Sequence, residues 1–261
     1  MADSAVLLEK CDSIGWLVLN QPDKRNALSQ AMWRSIPELL SQAENDKEIL
    51  TLVIRGSGEL AFASGADISE FSTVHANSSS SRKYNRIVHE AERCLSLFPK
   101  PTIAMIQGPC VGGGCGLALA CDLRFADTTA FFAIPPSNLG LVYSLQGTKL
   151  LVDKVGPGLT LDMLYSGRKV TAQEAFRSGL IERLKEPHEI RMATEDYCKK
   201  LSKKSQFSIR AAKTIVQKIL DGVTVDTQET LDLFDSAFQG EDYPEGAAAF
   251  LQKRDPNFTW R

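Results

Sequence analysis

The segment from Phe98 to Gly147 constrains the fold most, because three consecutive glycines separate a predicted strand from a predicted helix. Gly112, Gly113 and Gly114 have no Cβ, so the backbone there can approach a ligand closely and turn its N–H groups outward. The following helix adds the positive end of its dipole at the same point. The pattern therefore indicates either a site for a developing oxyanion or a structural turn packed tightly on a strand.

A second turn of the same kind lies upstream. Residues 50 to 71 form a β-rich run that ends in the small-residue turn Ser64-Gly65-Ala66-Asp67, which opens another helix. Each strand-to-helix turn can offer one N–H group.

Composition and charge exclude several classes of function. The chain has 261 residues, of which 43% are hydrophobic and 24% charged, and this balance predicts one main globular domain. The net charge of −2 gives no general attraction to polyanions, so neither a nucleic acid nor an acidic membrane is an expected partner. Local basic residues can still bind the phosphates of a small ligand.

The cysteines and the termini give a plain expectation. The six cysteines form no CxxC pair and no set with zinc spacing, so buried free thiols and no metal site are predicted. The first ten residues lack the pattern of a leader, and no apolar run approaches the ~18 residues of a membrane span. A cytoplasmic location is therefore expected.

Local patterns predict most of the secondary structure. Turn residues at 12–15 predict a hairpin, Ser29 is a candidate cap for a helix over about 30–43, and Thr171 is another candidate cap. Helical patterns fill the tail near 188–203, 207–220, 226–239 and 244–253. The serine-rich run at 75–85 predicts a surface loop, either a solvated connector or a lid over the candidate oxyanion turn.

Six motifs in order resemble the crotonase (enoyl-CoA hydratase/isomerase) superfamily, and the resemblance extends from Asp12 to Phe258. The motifs are DKRNALS (23–29), FASGADISEF (62–71), FPKPTIAMIQGPCVGGGC (98–115), ACDLRFAD (120–127), TAQEAFRSGLI (171–181) and DYPEGAAAFLQKRDPNF (242–258). The resemblance implies an α/β fold of the crotonase (ClpP/crotonase-like) type, with a ββα spiral core and a C-terminal helical trimerisation region.

The same resemblance implies a division of the chain and an assembly. Residues 1–195 are expected to form the spiral core with the CoA pocket and oxyanion hole, and residues 196–261 the helical oligomerisation segment. Relatives assemble as homotrimers, often paired into hexamers. The apolar faces of the tail helices could equally pack onto their own subunit.

By resemblance, the peptide N–H groups of Ala66 and Gly113 form the oxyanion hole that holds the thioester carbonyl oxygen of an acyl-CoA. Coenzyme A is then part of the substrate, and no separate cofactor is implied. The resemblance also implies substrate contacts, with the last two residues reaching a neighbouring subunit. These are Lys24, Arg25, Ala27, Ser64, Gly65, Asp67, Ile68, Gly112, Gly116, Pro136, Leu139, Gly140, Phe250 and Lys253.

Two acids of the hydratase pattern are replaced. The family pattern GGGCE reads GGGCG here, with Gly116 at the place of the acid, and FGQPE reads FAIPP, with Pro136 at the place of the other. Glycine and proline cannot exchange a side-chain proton, which argues against the family's two-glutamate hydration. A displaced carboxylate such as Glu70 or Asp67 is an alternative, although Asp67 also suits a helix cap.

The run from Pro136 to Gly147 resembles the methylmalonyl-CoA decarboxylase branch, and Tyr143 occupies the place of a tyrosine near the substrate carboxylate. Decarboxylation needs no general base, so a malonyl-type acyl-CoA is slightly preferred as substrate. That branch carries a histidine where Ala66 stands and a glutamate where Gly116 stands. Tyr143 can also be a core tyrosine. A divergent hydratase or isomerase and a catalytically weak acyl-CoA-binding protein are the alternatives.

Overall fold

The computed structural model describes residues 4–74 and 76–260. It opens with the predicted hairpin, in which two antiparallel strands are joined at Asp12 and Ser13. Asp12 has a φ of 52°, the left-handed conformation that a short hairpin turn requires and that aspartate tolerates. The strands are β1 (Val6–Cys11), β2 (Ile14–Leu19), β3 (Thr51–Gly56), β4 (Thr102–Ile106), β5 (Pro109–Val111), β6 (Leu123–Asp127), β7 (Phe131–Ala133), β8 (Val170–Thr171) and β9 (Arg183–Lys185).

The strands form two sheets. The larger has the order β1-β2-β3-β4-β6-β9, and its pairs are parallel apart from the β1–β2 hairpin. The smaller has the order β5-β7-β8, with β5 and β7 parallel. Parallel neighbours need helical crossovers, which explains the alternation of strands and helices in the first 130 residues.

The helices lie between and after these strands. They are α1 (Gln30–Asn45), α2 (Phe71–Val74), α3 (Ser78–Ser96), α4 (Gly113–Leu119), α5 (Leu145–Ser166), α6 (Ala172–Ser178), α7 (Ile190–Ser202), α8 (Gln206–Leu220), α9 (Gln228–Gln239) and α10 (Asp242–Gln252). Short 3₁₀ helices cover Pro22–Lys24, Ile68–Glu70 and Pro136–Leu139.

The larger sheet separates two hydrophobic cores. Alternate residues of β2 point to opposite faces: Leu17 and Leu19 join the main core with α1, α3 and α4, whereas Trp16 and Val18 join a smaller core covered by α7. Both strand faces are therefore buried, as expected of a parallel sheet between helices.

Several predictions from local pattern are confirmed. Ser29 caps α1 by accepting from the Met32 N–H at 3.3 Å, and Thr171 caps α6 by accepting from the Glu174 N–H at 3.2 Å. The four predicted tail helices correspond to α7, α8, α9 and α10. The division after residue 195 lies within α7 and stays a prediction.

The predicted loop at 75–85 is wrong from Ser78 onward, and its residue 75 lies outside the described residues. Asn77 begins α3 with a capping box, in which its side chain accepts from the N–H groups of Ser79 and Ser80 and the Ser80 hydroxyl accepts from the Asn77 N–H. Serines that suit a loop also suit the first turn of a helix, so composition alone did not distinguish the two. The alternative that this segment acts as a lid stays a prediction.

The cysteines are free thiols, but not all are buried. Cys110, Cys115, Cys121 and Cys198 are buried, while Cys94 is half-buried and Cys11 is exposed. Among residues 4–74 and 76–260, none of the helices has both the length and the apolar character needed to cross a bilayer.

Candidate functional site

The two turns singled out by sequence lie side by side. Ala63 and Cys110 form a parallel bridge, and the Val111 N–H donates to the Ala63 carbonyl at 3.0 Å. A Cβ built on Gly112 would lie 3.9 Å from the Cα of Gly65. The turn after β3 and the turn before α4 therefore meet, although they are about fifty residues apart in sequence.

The Ala66 N–H has no acceptor among the described residues, although hydrogen bonds on both sides hold its peptide in place. Leu28 donates to the Gly65 carbonyl at 2.7 Å, and Asp67 donates to the Leu28 carbonyl at 3.0 Å. These two bonds form the Leu28–Ala66 bridge and fix the peptide of Ala66 without using its N–H. Gly65 makes the turn possible through a φ of 107°, which residues with a side chain rarely adopt.

The Gly113 N–H is also without an acceptor in the described part of the chain. It belongs to the first turn of α4, whose N–H groups have no partner within the helix. Glycine is required by packing, because a Cβ at Gly113 would lie 2.9 Å from Trp33 Cζ2 and a Cβ at Gly114 would lie 2.8 Å from Ala63 Cβ. Two unpaired donors thus lie on adjoining, tightly packed turns.

An acidic side chain that the sequence did not single out lies beside α4. Glu92 projects from α3, is only 3% exposed, and makes neither an ion pair nor a hydrogen bond with the described residues. Its carboxyl lies where a side chain at Gly116 would extend: a Cβ built there would overlap Glu92 Oε1 and lie 3.2 Å from Cδ. The absence of a Cβ at Gly116 therefore makes room for this carboxyl.

Burial raises the pKa of Glu92 to about 8, because removal from water disfavours the charged form. The sequence did contain a signal for this residue. Tyr84, Val88 and Glu92 are spaced by four residues along α3, so an acid lies on the apolar face of an amphipathic helix. The incorrect loop prediction for the start of α3 concealed that periodicity.

Tyr143 reaches the same place from the other side. Its hydroxyl lies 3.5 Å from a Cβ built on Gly116, and its ring covers Gly147, where a Cβ would lie 2.7 Å from Cε1. Ser144 caps α5 by accepting from the Gly147 N–H at 3.0 Å, which fixes the tyrosine's segment. Burial, and then the neighbouring Glu92 carboxyl, raise the pKa of Tyr143 well above its usual value.

The two carboxylates that sequence offered as displaced acids have structural roles. Asp67 accepts from Lys24 Nζ at 2.7 Å and from the Ser69 N–H at 3.0 Å, and these bonds lower its pKa. The predicted capping role of Asp67 is therefore observed. Glu70 accepts from the Gln30 N–H at 2.7 Å, at the start of α1.

The predicted CoA contacts near Lys24 lie beside the Ala66 turn. Ser64 donates from its N–H to the Arg25 carbonyl at 3.0 Å and from its hydroxyl to the Lys24 carbonyl at 3.2 Å. Ala27 is buried, whereas Ile68 is exposed after the turn. Lys24 and Arg25 thus lie at the edge of this turn, and their CoA contacts stay predictions.

The remaining predicted contacts lie on two other segments. The 3₁₀ helix before Tyr143 contains Pro136 and Leu139, and Gly140 ends it. Leu139 is exposed. Phe250 is 84% exposed on α10, and Lys253 ends that helix in the left-handed conformation. The contacts that the resemblance gives Phe250 and Lys253 in a neighbouring subunit stay predictions.

Comparison with known proteins decides the family. The sequence model of the enoyl-CoA hydratase/isomerase family matches residues 9–261. The chain belongs to the enoyl-CoA hydratase/isomerase family. Among curated relatives, a protein of Syntrophomonas wolfei named crotonyl-CoA hydratase is 32% identical, with 99% of each chain covered. A short-chain-enoyl-CoA hydratase of Clostridium acetobutylicum is 30% identical, with 95% of each covered.

Solved structures of this enoyl-CoA hydratase/isomerase family agree with the fold. A family member from Hyphomonas neptunium is 40% identical with a TM-score of 0.96, covering 99% of this chain and 98% of its own. An enoyl-CoA hydratase/carnitine racemase from Magnetospirillum magneticum is 32% identical with a TM-score of 0.94, covering 99% and 96%. The predicted crotonase-type α/β fold with a helical C-terminal region is thereby confirmed.

Proposed function

We propose that this protein transforms an enoyl-CoA thioester through an enolate whose oxygen accepts hydrogen bonds from the N–H groups of Ala66 and Gly113. One observation carries the proposal: both groups lack an acceptor among the described residues and lie on turns that touch. A donor fixed before the reaction stabilises developing negative charge by about 3 to 4 kcal/mol. The family membership supplies the acyl-CoA class of substrate.

A carboxyl beside the enolate favours proton transfer over a reaction that needs no base. Glu92 lies over Gly116, one helical turn beyond Gly113 on the same face of α4. Gly116 and Pro136 stand where the family pattern has acids, but Glu92 supplies an acid beside Gly116. Hydration or isomerisation of an enoyl-CoA is therefore the first candidate reaction.

Decarboxylation of a malonyl-type acyl-CoA is the second candidate, because of Tyr143. Loss of CO₂ leaves its electrons on the thioester, so the same two N–H groups would stabilise the same kind of enolate. The Tyr143 hydroxyl, close to the Gly116 position, is a donor for the departing carboxylate. A protonated Glu92 would then deliver the proton to the enolate carbon.

A panel of thioesters tests these candidates. The purified protein is incubated separately with crotonyl-CoA, 3-hexenoyl-CoA and methylmalonyl-CoA, and products are followed by mass and chromatography. Addition of water to crotonyl-CoA or conversion of 3-hexenoyl-CoA to its 2-isomer supports the first candidate. Loss of CO₂ from methylmalonyl-CoA supports the second, and no conversion of any of the three contradicts enolate turnover on these substrates.

A further inference from the structure

The carboxyl of Glu92 and the backbone of Gly116 fit each other. An acid is delivered by α3 into a volume that α4 leaves open, because any residue with a Cβ at position 116 would collide with it. Gly116 follows Gly113 by three residues, so the carboxyl lies about one helical turn, roughly 5 Å, along α4 from the Gly113 N–H. The acyl chain of a thioester held at that N–H would pass this point.

We propose that Glu92 is the single acid–base residue of this candidate site and that it moves a proton between the α and γ carbons of a 3-enoyl-CoA. The inference rests on the proposed function, since it needs the enolate held by Ala66 and Gly113. It names the reaction within that function: a shift of the double bond rather than addition of water.

The reaction needs only one carboxylate. The Glu92 carboxylate removes a proton from the α carbon of the 3-enoyl-CoA, and the electrons of that C–H bond pass into a dienolate whose oxygen accepts from the two N–H groups. The protonated Glu92 then gives the proton to the γ carbon, and the electrons return to form the 2-enoyl-CoA. The carboxylate is regenerated, and no other reactant is consumed.

The surroundings of Glu92 argue against hydration. Addition of water by two carboxylates needs a second acid, and Pro136 has no side-chain proton to exchange. Asp67 is bound to Lys24 and Ser69, and Glu70 is bound to the backbone of α1, so both have structural partners. Among the acidic residues of the described ranges, Glu92 alone combines a free carboxyl, burial and a place beside α4.

The ionisation of Glu92 suits a group that both takes and gives a proton. With a pKa of about 8, roughly a tenth of the molecules carry the carboxylate at pH 7, and the protonated form is readily reached after each transfer. The titratable groups near it are Tyr84, with a pKa raised by burial to about 12, and Tyr143, also raised. Burial lowers the pKa of His89, one turn earlier on α3.

A labelled substrate tests the transfer directly. 3-Hexenoyl-CoA carrying two deuterium atoms on its α carbon is incubated in ordinary water with the wild type, Glu92→Gln, Glu92→Asp and Glu90→Gln. Glu90 is the matched control, an exposed acid on the same helix paired with Arg93. We expect the wild type and Glu90→Gln to form 2-hexenoyl-CoA with part of the deuterium on the γ carbon, as a single shuttling group requires.

Glu92→Gln is expected to lower the isomerisation rate at least about 100-fold, the usual contribution of a general acid–base residue. Glu92→Asp is expected to retain part of the rate. Each protein is also titrated with acetoacetyl-CoA, whose bound enolate is seen by its near-ultraviolet absorbance. Glu92→Gln that keeps the isomerisation rate within about threefold overturns the proposal. Wild type that binds the enolate yet isomerises no 3-enoyl-CoA also overturns it and leaves the proposed function intact, whereas absence of the enolate contradicts both.

Discussion

The carboxyl of Glu92 occupies the space that a side chain at Gly116 would fill, although the two residues belong to different helices. A position that reads in sequence as the loss of an acid is therefore filled in three dimensions by an acid from elsewhere. This arrangement requires glycine at position 116, because even a methyl group there would collide with the Glu92 carboxyl.

Glu92→Gln is expected to stabilise the protein at high pH. The folded state raises the Glu92 pKa from its ordinary 4.5 to about 8, so it binds more protons than the unfolded state between these values. Wild-type stability therefore falls as pH rises from about 4.5 to 8, by an upper limit of roughly 5 kcal/mol at about 1.4 kcal/mol per pKa unit.

Urea unfolding at pH 5 and pH 9 measures this difference. The amide has no charge to bury, so Glu92→Gln should show a smaller fall between the two pH values than the wild type, and Glu90→Gln should match the wild type. If the free energy of unfolding instead rises over this range, and by the same amount in the wild type, Glu92→Gln and Glu90→Gln, Glu92 is not a buried acid.

Gly116→Ala is expected to lower enoyl-CoA turnover as strongly as Glu92→Gln. The new methyl group displaces the carboxyl, and because the contact is with the flexible end of the Glu92 side chain, turnover should suffer more than stability. Gly158→Ala is the matched control, because a Cβ there has no heavy atom within 4 Å. Gly116→Ala with wild-type kinetics would mean that the position of the Glu92 carboxyl is unimportant.

Moving the acid tests the same relationship in the other direction. Glu92→Ala removes the carboxyl from α3, and Gly116→Glu added to it places a carboxyl on α4 in the freed volume. We expect Glu92→Ala to be inactive and the double variant to recover part of the rate, while Gly116→Glu alone unfolds more easily than the wild type because two acids then share one buried volume. The three variants are compared by initial rate and by thermal unfolding.

Tyr143→Phe is expected to lower turnover by roughly 2- to 10-fold, the value of one hydrogen bond of about 0.5 to 1.5 kcal/mol. The ring still covers Gly147, so stability should change little. Comparing the loss of turnover rate on methylmalonyl-CoA with the loss on 3-hexenoyl-CoA shows for which substrate the hydroxyl contributes to the reaction. Unchanged rates on both would assign Tyr143 to packing alone.

Much of the fold followed from the sequence because its determinants are local. The hairpin at Asp12, the caps at Ser29 and Thr171 and the four tail helices all depend on residues within a few positions of each other. The helical start of α3 after Asn77 could not be predicted from the sequence. The same serine side chains can cap a helix or line a loop, and only the tertiary packing of α3 decides between them.

The candidate site likewise contains residues that could be identified from the sequence and residues that could not. Gly65 and the glycines around Gly113 were identifiable because close backbone approach leaves a mark in the sequence itself. The partnership of Glu92 with Gly116 was not, since it joins residues of two helices whose contact is visible only in the folded chain. The local signal that was missed is the four-residue spacing that places Glu92 on the apolar face of α3.

The most direct test of enolate stabilisation is a titration of the wild type and Gly113→Ala with acetoacetyl-CoA, followed by the near-ultraviolet absorbance of the bound enolate. A methyl group at position 113 would meet Trp33 at 2.9 Å and shift the N–H donor, whereas Gly158→Ala leaves the turn unchanged. The account predicts a strong enolate band with the wild type and Gly158→Ala, and a loss of about 100-fold in enolate affinity with Gly113→Ala. Acetoacetyl-CoA that binds the wild type without forming the enolate would contradict the central claim.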